Sequence, residues 1–234
     1  MLGIQKYDQF VTRNNPNIIY SSFLILHFLS ILEGSIFNKT DMLGLKLPTD
    51  PRWVNIVETN ISEILTDHAY CEQKAATNAI NIVIQFPEYP DMVDALLELA
   101  REELQHFQQV HKKIVERGYT LGKERRDEYV FELNNFIRKG FTKNIVLVDK
   151  LLFSALVEAR SCERFKVLSD NINDPDLKQF YRDLMVSEAN HYTLFLGFAK
   201  KYADGVDVDQ RWKEYLDYEA EIISKYGKRE TIHG

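Results

Sequence analysis

The sequence is poor in residues that interrupt helices and in residues that cross-link small folds. Its 234 residues include 10 glycines and 6 prolines, and few segments alternate between polar and apolar side chains as a β-strand does. The two cysteines, Cys71 and Cys162, form no Cys-x-x-Cys pair, which excludes a fused rubredoxin-like electron-transfer module. Both are predicted to be small buried thiols in a reducing compartment rather than a disulfide or a zinc site, so we expect a cytoplasmic protein. The scarcity of strand-like alternation predicts an all-α fold.

Long hydrophobic runs are also absent. The most apolar stretch, residues 18–32, is shorter than the roughly 20 residues that a membrane-spanning helix needs, and serine and histidine interrupt it. No small-residue cleavage site follows this stretch. We therefore predict no stable membrane association and one folded domain over residues 42–234. Residues 1–41 are predicted to be an N-terminal extension or the product of a misassigned upstream start. The alternative is that the apolar stretch adds a packing helix to that domain.

Against this background, one short motif is informative because it occurs twice. Glu-x-x-His is found at residues 103–106 and 188–191, and each copy has a further glutamate about thirty residues upstream. Positions i and i+3 lie on the same helix face, so a carboxylate and an imidazole with this spacing converge on one ion. A gap of about thirty residues suits two antiparallel helices with a short connection. The six predicted metal ligands are Glu72, Glu103, His106, Glu158, Glu188 and His191.

The predicted ligands interrupt apolar helix faces. On the helix of the first motif, for example, the glutamate at 103 falls on a stripe that includes Leu96, Ala100, Phe107 and Val110. Unpaired charge in such a stripe is costly, so four inward glutamates require positive partners. Two lone glutamates and two Glu-x-x-His pairs, contributed by four helices, are the ligand set of a di-metal centre in a four-helix bundle. Hard carboxylates with two imidazoles suit iron or manganese.

Several neighbouring residues offer alternatives or additions to this set. The third helix of the bundle also carries Glu163, which shares a face with charged residues and is the reserve ligand for that helix. Glu102 shares its face with other polar residues and is predicted to be solvated. His68 lies one turn before the first ligand and is predicted to be a hydrogen-bonding core residue rather than a ligand. Asp67 and Asp149 are candidates to hold the outer nitrogens of the ligating histidines.

Caps and helix breakers predict the helix boundaries. Asp50-Pro51 opens the first helix, Gly118 ends the second, and Asp174-Pro175 opens the fourth helix of the bundle. A short helix is expected in the connection before the third bundle helix, and a further C-terminal helix is expected to pack outside the bundle. The predicted spans are 51–86, 91–118, 127–138, 144–169, 175–204 and 209–226.

Four segments form specific strings, one on each metal-bearing helix: ILTDHAYCEQKAA, LAREELQHF, VEARSCERF and FYRDLMVSEANHY. They resemble the tRNA-(ms2io6A)-hydroxylase family, the MiaE-type ferritin-like di-iron monooxygenases. The resemblance implies a ferritin-like four-helix bundle in which the six residues above bind two iron ions. It also implies hydroxylation of the isopentenyl side chain of a hypermodified adenosine, ms2i6A, in transfer RNA. Dioxygen would be the co-substrate, and a reductase or ferredoxin would be the external electron donor. We expect a monomer.

A basic run between the second and third bundle helices is the predicted contact for transfer RNA. The net charge of −6 opposes binding to a polyanion, but nine cations are concentrated in this run, and Tyr119 and Phe141 are available for stacking. An ordinary solvated surface is the alternative interpretation. The nine cations are Lys112, Lys113, Arg117, Lys123, Arg125, Arg126, Arg138, Lys139 and Lys143.

Other functions are compatible with the same ligand pattern. A rubrerythrin-like peroxidase and a small-molecule hydroxylase would use the same di-iron centre on different substrates, and a lipid or quinone substrate would favour an apolar, membrane-facing helix. Non-enzymatic iron handling would require a surface that assembles into a cage.

Overall fold

The computed structural model describes residues 42–225, 229 and 231–233. The predictions about residues 1–41 lie outside these residues. Within the described ranges the regular secondary structure is entirely helical, with a short 3-10 turn at Met42–Gly44. The α-helices are α1 Trp53–Thr59, α2 Ile61–Gln85, α3 Pro90–Glu116, α4 Glu128–Asn134, α5 Lys143–Asn171, α6 Pro175–Lys201 and α7 Val208–Ile223.

Four long helices form the bundle. α2 packs along α3, and α5 packs along α6, so the bundle consists of two helical hairpins with short connections at residues 86–89 and 172–174. The hairpins are joined by the long segment 117–142, which contains α4. A four-helix bundle with one long crossover is the ferritin-like arrangement. The prediction of an all-α, ferritin-like fold is confirmed.

The helix ends follow from local chemistry that the sequence already displays. Asp174 caps α6, because its side chain accepts hydrogen bonds from the backbone N–H groups of Asp176 and Leu177, at 2.9 and 3.1 Å, just beyond Pro175. After α3, Gly118 adopts the left-handed region with φ +74°, which a residue without a side chain tolerates at this position. These residues fix where α6 begins and where α3 ends.

The predicted first helix, 51–86, is wrong in one respect. It is divided into α1 and α2 by Asn60, whose backbone (φ −135°, ψ 46°) is not helical. The Asn60 carbonyl accepts the N–H groups of Glu63 and Ile64, and its side-chain amide donates to the carbonyl of Ile56. Asparagine competes with helical backbone bonds in this way and favours helix ends, so α2 starts afresh here.

The C-terminal helix α7 packs against α4 and α5, outside the two hairpins, as predicted. It is attached partly by buried charge. Arg160 of α5 donates two hydrogen bonds to Glu219 of α7, at 2.6 and 2.9 Å, and the hydroxyl of Tyr215 donates to the carbonyl oxygen of Asp149. Because both Arg160 and Glu219 are inaccessible to solvent, each depends on the other to compensate its burial.

Candidate metal centre

All six predicted ligands lie together inside the bundle. None of them is more than 5% exposed. The i, i+3 spacing places each glutamate and histidine of a motif on one inward face, and the hairpin geometry brings the lone glutamates to the same depth. α2 contributes Glu72, α3 contributes Glu103 and His106, α5 contributes Glu158, and α6 contributes Glu188 and His191.

The six residues form two overlapping groups of four. In each group, one donor atom from every member lies within 4.8 Å of the others. Glu103 and Glu188 belong to both groups; Glu72 and His106 complete the first, and Glu158 and His191 complete the second. Each group therefore offers three carboxylates and one imidazole, and the two groups repeat each other across the bundle.

The imidazoles turn the same ring nitrogen toward the carboxylates. Nδ1 of His106 lies 3.1 Å from Oε2 of Glu103 and 3.9 Å from Oε1 of Glu188. Nδ1 of His191 lies 2.9 Å from Oε1 of Glu103 and 3.8 Å from Oε2 of Glu188. One carboxylate, that of Glu103, thus faces both rings, each through a different oxygen.

Several buried atoms of the centre have no hydrogen-bond partner among the described residues. They include Oε1 of Glu103, Oε1 of Glu188 and both ring nitrogens of His191. Buried polar atoms are normally satisfied, so this concentration requires an explanation. Oε1 of Glu103 and Nδ1 of His191 are only 2.9 Å apart, yet they are not aligned as donor and acceptor. Carboxylate oxygens and imidazole nitrogens that face one another without a shared proton are arranged to bind a cation. The two ligand groups together fit a pair of divalent ions.

The electrostatics point the same way. Burial raises the pKa of the Glu158 carboxyl well above its ordinary range, and the neighbouring charge of Glu188 raises it further. Burial, followed by the charge of Glu72, also raises the pKa of Glu103. Burial alone would lower the pKa of His106, but the neighbouring carboxylates of Glu103 and Glu72 outweigh it and raise the pKa to about 10. Four carboxylates in one pocket repel one another, and bound cations would relieve that repulsion.

His68 behaves as predicted for a hydrogen-bonding core residue. It is fully buried, and its Nε2 lies 2.5 Å from Oε1 of Glu72. Its ring packs against Phe165 and Tyr181, with ring centroids 4.8 and 5.6 Å away. His68 therefore fixes one oxygen of Glu72 and leaves the other directed toward His106, 3.8 Å from its Nδ1.

Glu102 is the residue of the site that sequence reasoning missed. Its side chain is 47% exposed, but its carboxylate lies 3.9 Å from Nε2 of His106 and 3.4 Å from Nε2 of His191. It also accepts a hydrogen bond from the Ser187 hydroxyl at 2.7 Å. The nearby imidazole of His191, against the effect of burial, lowers the pKa of Glu102 to about 2. Glu102 thus faces the outer nitrogens of both imidazoles.

A sequence signal for this role exists. Glu102 directly precedes one Glu-x-x-His motif, and its hydrogen-bond partner Ser187 directly precedes the other. Two polar residues at the same offset from a repeated motif face each other when the two helices are neighbours. The prediction that Glu102 is simply solvated is therefore wrong.

The other neighbouring candidates lie elsewhere. Glu163 accepts hydrogen bonds from Thr49 and Arg160 instead of joining the ligand groups. Asp149 is bound by Arg138 and Arg211, and Asp67 accepts the backbone N–H of residue 232 at 2.7 Å. The suggestion that Asp67 or Asp149 holds a ligating histidine is wrong, because each is already committed to another structural contact.

The family model described as tRNA-(MS[2]IO[6]A)-hydroxylase (MiaE) matches residues 37–234. The chain belongs to this family. A relative from Pseudomonas putida, called tRNA 2-(methylsulfanyl)-N(6)-isopentenyladenosine(37) hydroxylase, is 35% identical over 189 residues, covering 81% of this chain and 91% of the relative. A protein of the same name from Salmonella typhimurium is 28% identical over 238 residues, covering 81% of this chain and 87% of that protein.

A solved structure is similar as well. It is described as Protein 43 with aldehyde deformylating oxygenase activity from Synechococcus. The TM-score is 0.75 and the sequence identity 33%, with 81% of this chain and 95% of that chain covered. The match supports the ferritin-like fold that the helix arrangement indicates.

Most cations of the basic run that is predicted to contact transfer RNA are paired with acidic side chains. Seven of the nine form ion pairs with nearby acids, as Arg117 does with Asp174 and Asp176. Lys123 and Lys139 are exposed and make no ion pair with another described residue. Among the described residues of the run, these two lysines therefore carry the charge that no acid already compensates.

No helix within the described ranges combines the length and the apolar character needed to cross a bilayer.

Proposed function

We propose that this chain uses a di-iron centre and dioxygen to hydroxylate the isopentenyl side chain of 2-methylthio-N6-isopentenyladenosine in transfer RNA. The observation that carries the proposal is the pair of buried ligand groups that share Glu103 and Glu188. Membership in the MiaE family and the names of the two hydroxylase relatives supply the substrate class. The reducing cytoplasm, where transfer RNA and ferrous iron coexist, is the proposed location.

Each ligand group would hold one iron ion. Glu72, Glu103, His106 and Glu188 form the first group, and Glu103, Glu158, Glu188 and His191 form the second. Two ferrous ions bound there would supply the electrons that activate dioxygen for insertion of one oxygen atom into a C–H bond. The carboxylate-rich donor set suits this chemistry, because hard anionic ligands favour iron in its higher oxidation states.

The overall reaction requires an external electron donor. Hydroxylation of one C–H bond consumes one dioxygen molecule, two electrons and two protons, and it yields one alcohol and one water. A reductase or ferredoxin is the proposed source of the two electrons.

The surrounding residues keep the ligands in place. The Glu102 carboxylate lies beside the outer nitrogens of both imidazoles, and the Ser187 hydroxyl donates a hydrogen bond to it. A carboxylate in this position favours the ring orientation that directs Nδ1 inward. His68 holds Glu72 from the opposite side, within an aromatic layer that includes Phe165 and Tyr181. These contacts preorganise the site before substrate arrives, and the aromatic layer limits access of water from that side.

A cavity of about 570 Å³ is the proposed place for part of the RNA. Its polar lining comprises three cations that are paired with nearby acids, two acids and two side-chain amides: Lys74, Arg125, Arg126, Glu124, Asp127, Asn78 and Asn134. Arg126 stacks on the exposed ring of Phe131, with 3.8 Å between the guanidinium carbon and the ring centroid. The guanidinium plane and the exposed aromatic ring suit stacking with an unpaired base.

The test is nucleoside analysis of transfer RNA from cells that lack this gene and are complemented with variants. The wild-type gene should restore the hydroxylated prenyl-adenosine, and Glu103→Ala should leave the unhydroxylated form. Glu98→Ala is the matched control, because Glu98 lies on the same helix and its side chain is 70% exposed. An unchanged nucleoside profile on removal of the gene would overturn the proposal.

Oxygen-dependent deformylation of an aldehyde is the second candidate, because the Synechococcus protein described with aldehyde deformylating oxygenase activity is 33% identical and shares the fold. Purified, iron-loaded protein supplied with a reductant and an alkyl aldehyde tests it directly. Turnover of the aldehyde without hydroxylation of transfer RNA would favour this candidate over the first.

A further inference from the structure

A second cluster of metal-ligating side chains lies outside the six-residue centre. It consists of Cys71 from α2, Asp127 at the N-terminal cap of α4, and His233 from the C-terminal segment 231–233. One donor atom from each lies within 4.8 Å of the other two. Cys71 precedes Glu72 in sequence, but successive side chains on a helix point about 100° apart, so the two residues serve different faces of α2.

The donor separations are close to those of a tetrahedral metal site. Zn–S bonds of about 2.3 Å and Zn–N bonds of about 2.0–2.1 Å place sulfur and nitrogen about 3.6 Å apart. Sγ of Cys71 and Nδ1 of His233 are 3.8 Å apart. Nδ1 of His233 and Oδ2 of Asp127 are 2.6 Å apart. Nitrogen and oxygen ligands of one tetrahedral zinc ion are roughly 3.3 Å apart, so the carboxylate would move away from the ring by about 0.7 Å on metal binding.

The histidine of this cluster is already oriented for ligation. The Ser161 hydroxyl lies 3.0 Å from Nε2 of His233, and the ring stacks on Tyr129 with 5.5 Å between centroids. Such contacts on the outer nitrogen fix the ring and direct the other nitrogen at an ion. His233 is 3% exposed, so the contacts are made in a protected setting.

The surroundings supply a fourth neighbour and a way in. Oδ2 of Asp67 lies 3.9 Å from Sγ of Cys71, and the same oxygen accepts the backbone N–H of Ile232 at 2.7 Å. Asp127 also lines the open cavity of about 570 Å³, so its carboxylate is the member of the cluster that solvent approaches from that side. A metal site needs this combination of donors, supporting contacts and an entry path.

We propose that Cys71, Asp127 and His233 bind one divalent transition-metal ion of the zinc type. A thiolate, an imidazole and a carboxylate form a donor set that suits zinc, and the remaining position is open to water or to Asp67. The ion would join α2, the start of α4 and the C-terminal segment, and would hold Ile232 and His233 in their buried positions. Its role is structural, next to the proposed catalytic centre but separate from it.

Titration of the metal-free, full-length protein with Co²⁺ tests the proposal, because cobalt bound to a thiolate has a charge-transfer band in the near ultraviolet. Wild-type protein should bind three equivalents, one of which produces this band, and Zn²⁺ should abolish the band. Cys71→Ser should lose the band and one equivalent. Cys162→Ser is the matched control, since Cys162 also precedes a glutamate and is buried, and it should behave as wild type.

Two further variants make the result decisive. His233→Ala should also lose the band, and it decides the matter if Cys71→Ser does not fold. Glu103→Ala should lose the ions of the six-residue centre and retain the thiolate band, so failure of the proposed catalytic function is distinguishable from failure of this site. Absence of the band in wild type, or its survival in Cys71→Ser, would reduce the cluster to a hydrogen-bonded anchor for the C-terminal segment and overturn the proposal.

Discussion

Replacement of Glu103 by glutamine is the sharpest test of the metal centre. Glu103 is fully buried, belongs to both ligand groups and faces both imidazoles, so one substitution affects both proposed ions. Glutamine keeps the shape of the side chain and removes its charge. We expect Glu103→Gln to lose most of the stabilisation that ferrous iron gives the wild-type protein.

The magnitude follows from binding linkage. At a free concentration one hundred times the dissociation constant, a ligand stabilises the folded state by about 2.7 kcal/mol for each site. Two sites contribute about 5 kcal/mol, which corresponds to an increase in melting temperature of about 10–20 °C for a domain of this size. Wild-type protein should show this increase on anaerobic addition of Fe²⁺, and Glu103→Gln should show less than half of it.

The metal-free protein should respond in the opposite direction. Burial and the charge of Glu72 raise the pKa of Glu103 from its ordinary 4.5, so the ionised carboxylate destabilises the fold at pH values above that raised pKa. The cost disappears as the pH falls toward the unfolded pKa. Metal-free Glu103→Gln should therefore melt at or above the wild-type temperature at neutral pH, and the difference should shrink as the solution is acidified.

Differential scanning calorimetry of both proteins, with and without Fe²⁺, measures all four melting temperatures. Glu98→Gln, on the exposed face of the same helix, should match wild type throughout. A full metal-induced increase in Glu103→Gln would refute the ligand assignment. A large fall in its metal-free melting temperature would instead identify Glu103 as one half of a structural ion pair with the histidines.

Three further predictions concern residues around the centre and at the surface. Glu102→Gln should keep both ions but weaken their affinity about 10- to 100-fold in chelator competition, because the outer imidazole nitrogens lose a charged partner; wild-type affinity would remove Glu102 from the site. Asp149→Asn should cost about 3–5 kcal/mol in urea unfolding at pH 7, since two arginines lose their buried carboxylate. Burial opposes ionisation of Asp149, but hydrogen bonds from those arginines prevail and lower its pKa. The stabilisation that the ionised carboxylate gives the fold is therefore present above the ordinary pKa of 3.8 and is lost as the pH falls below it. A difference in stability between wild type and variant that persisted at about pH 2 would contradict this. Lys123→Gln combined with Lys139→Gln should weaken transfer-RNA binding in a filter-binding assay, and the slope of log binding constant against log salt concentration should fall by about one to two. Lys113→Gln is the control and should change little, because the charge of Lys113 is already paired with an aspartate. Equal effects would refute the distinction.

The metal-bearing helix faces could be predicted because they depend on local spacing. A carboxylate and an imidazole at i and i+3 must share a face of any helix that contains them, whatever packs against it. The same periodicity separated Glu158, on the apolar stripe, from Glu163, whose neighbours are charged, and the structure places only Glu158 in a ligand group. That these residues bind iron stays a prediction, to be decided by the experiments above.

The role of Glu102 was not predictable from one helix alone. Its own helix groups it with polar residues, and this correctly indicates partial exposure. Its contact with His191 depends on how closely α3 and α6 approach and in which register, which no spacing along α3 reveals. The division at Asn60 was missed for a related reason, since an asparagine inside a long helical pattern breaks the helix only where tertiary packing favours a change of direction.

By itself, the sequence determined that the protein is helical, which face of each long helix turns inward, and which side chains that face carries, because these properties follow from residue type and the 3.6-residue period. Only the tertiary structure decided which side chains from different elements meet: Glu102 with two imidazoles, Asp149 with two arginines, and His233 with Asp127. Each of these contacts joins residues from separate elements, and their positions relative to one another are set by the packing of the whole bundle rather than by any local pattern.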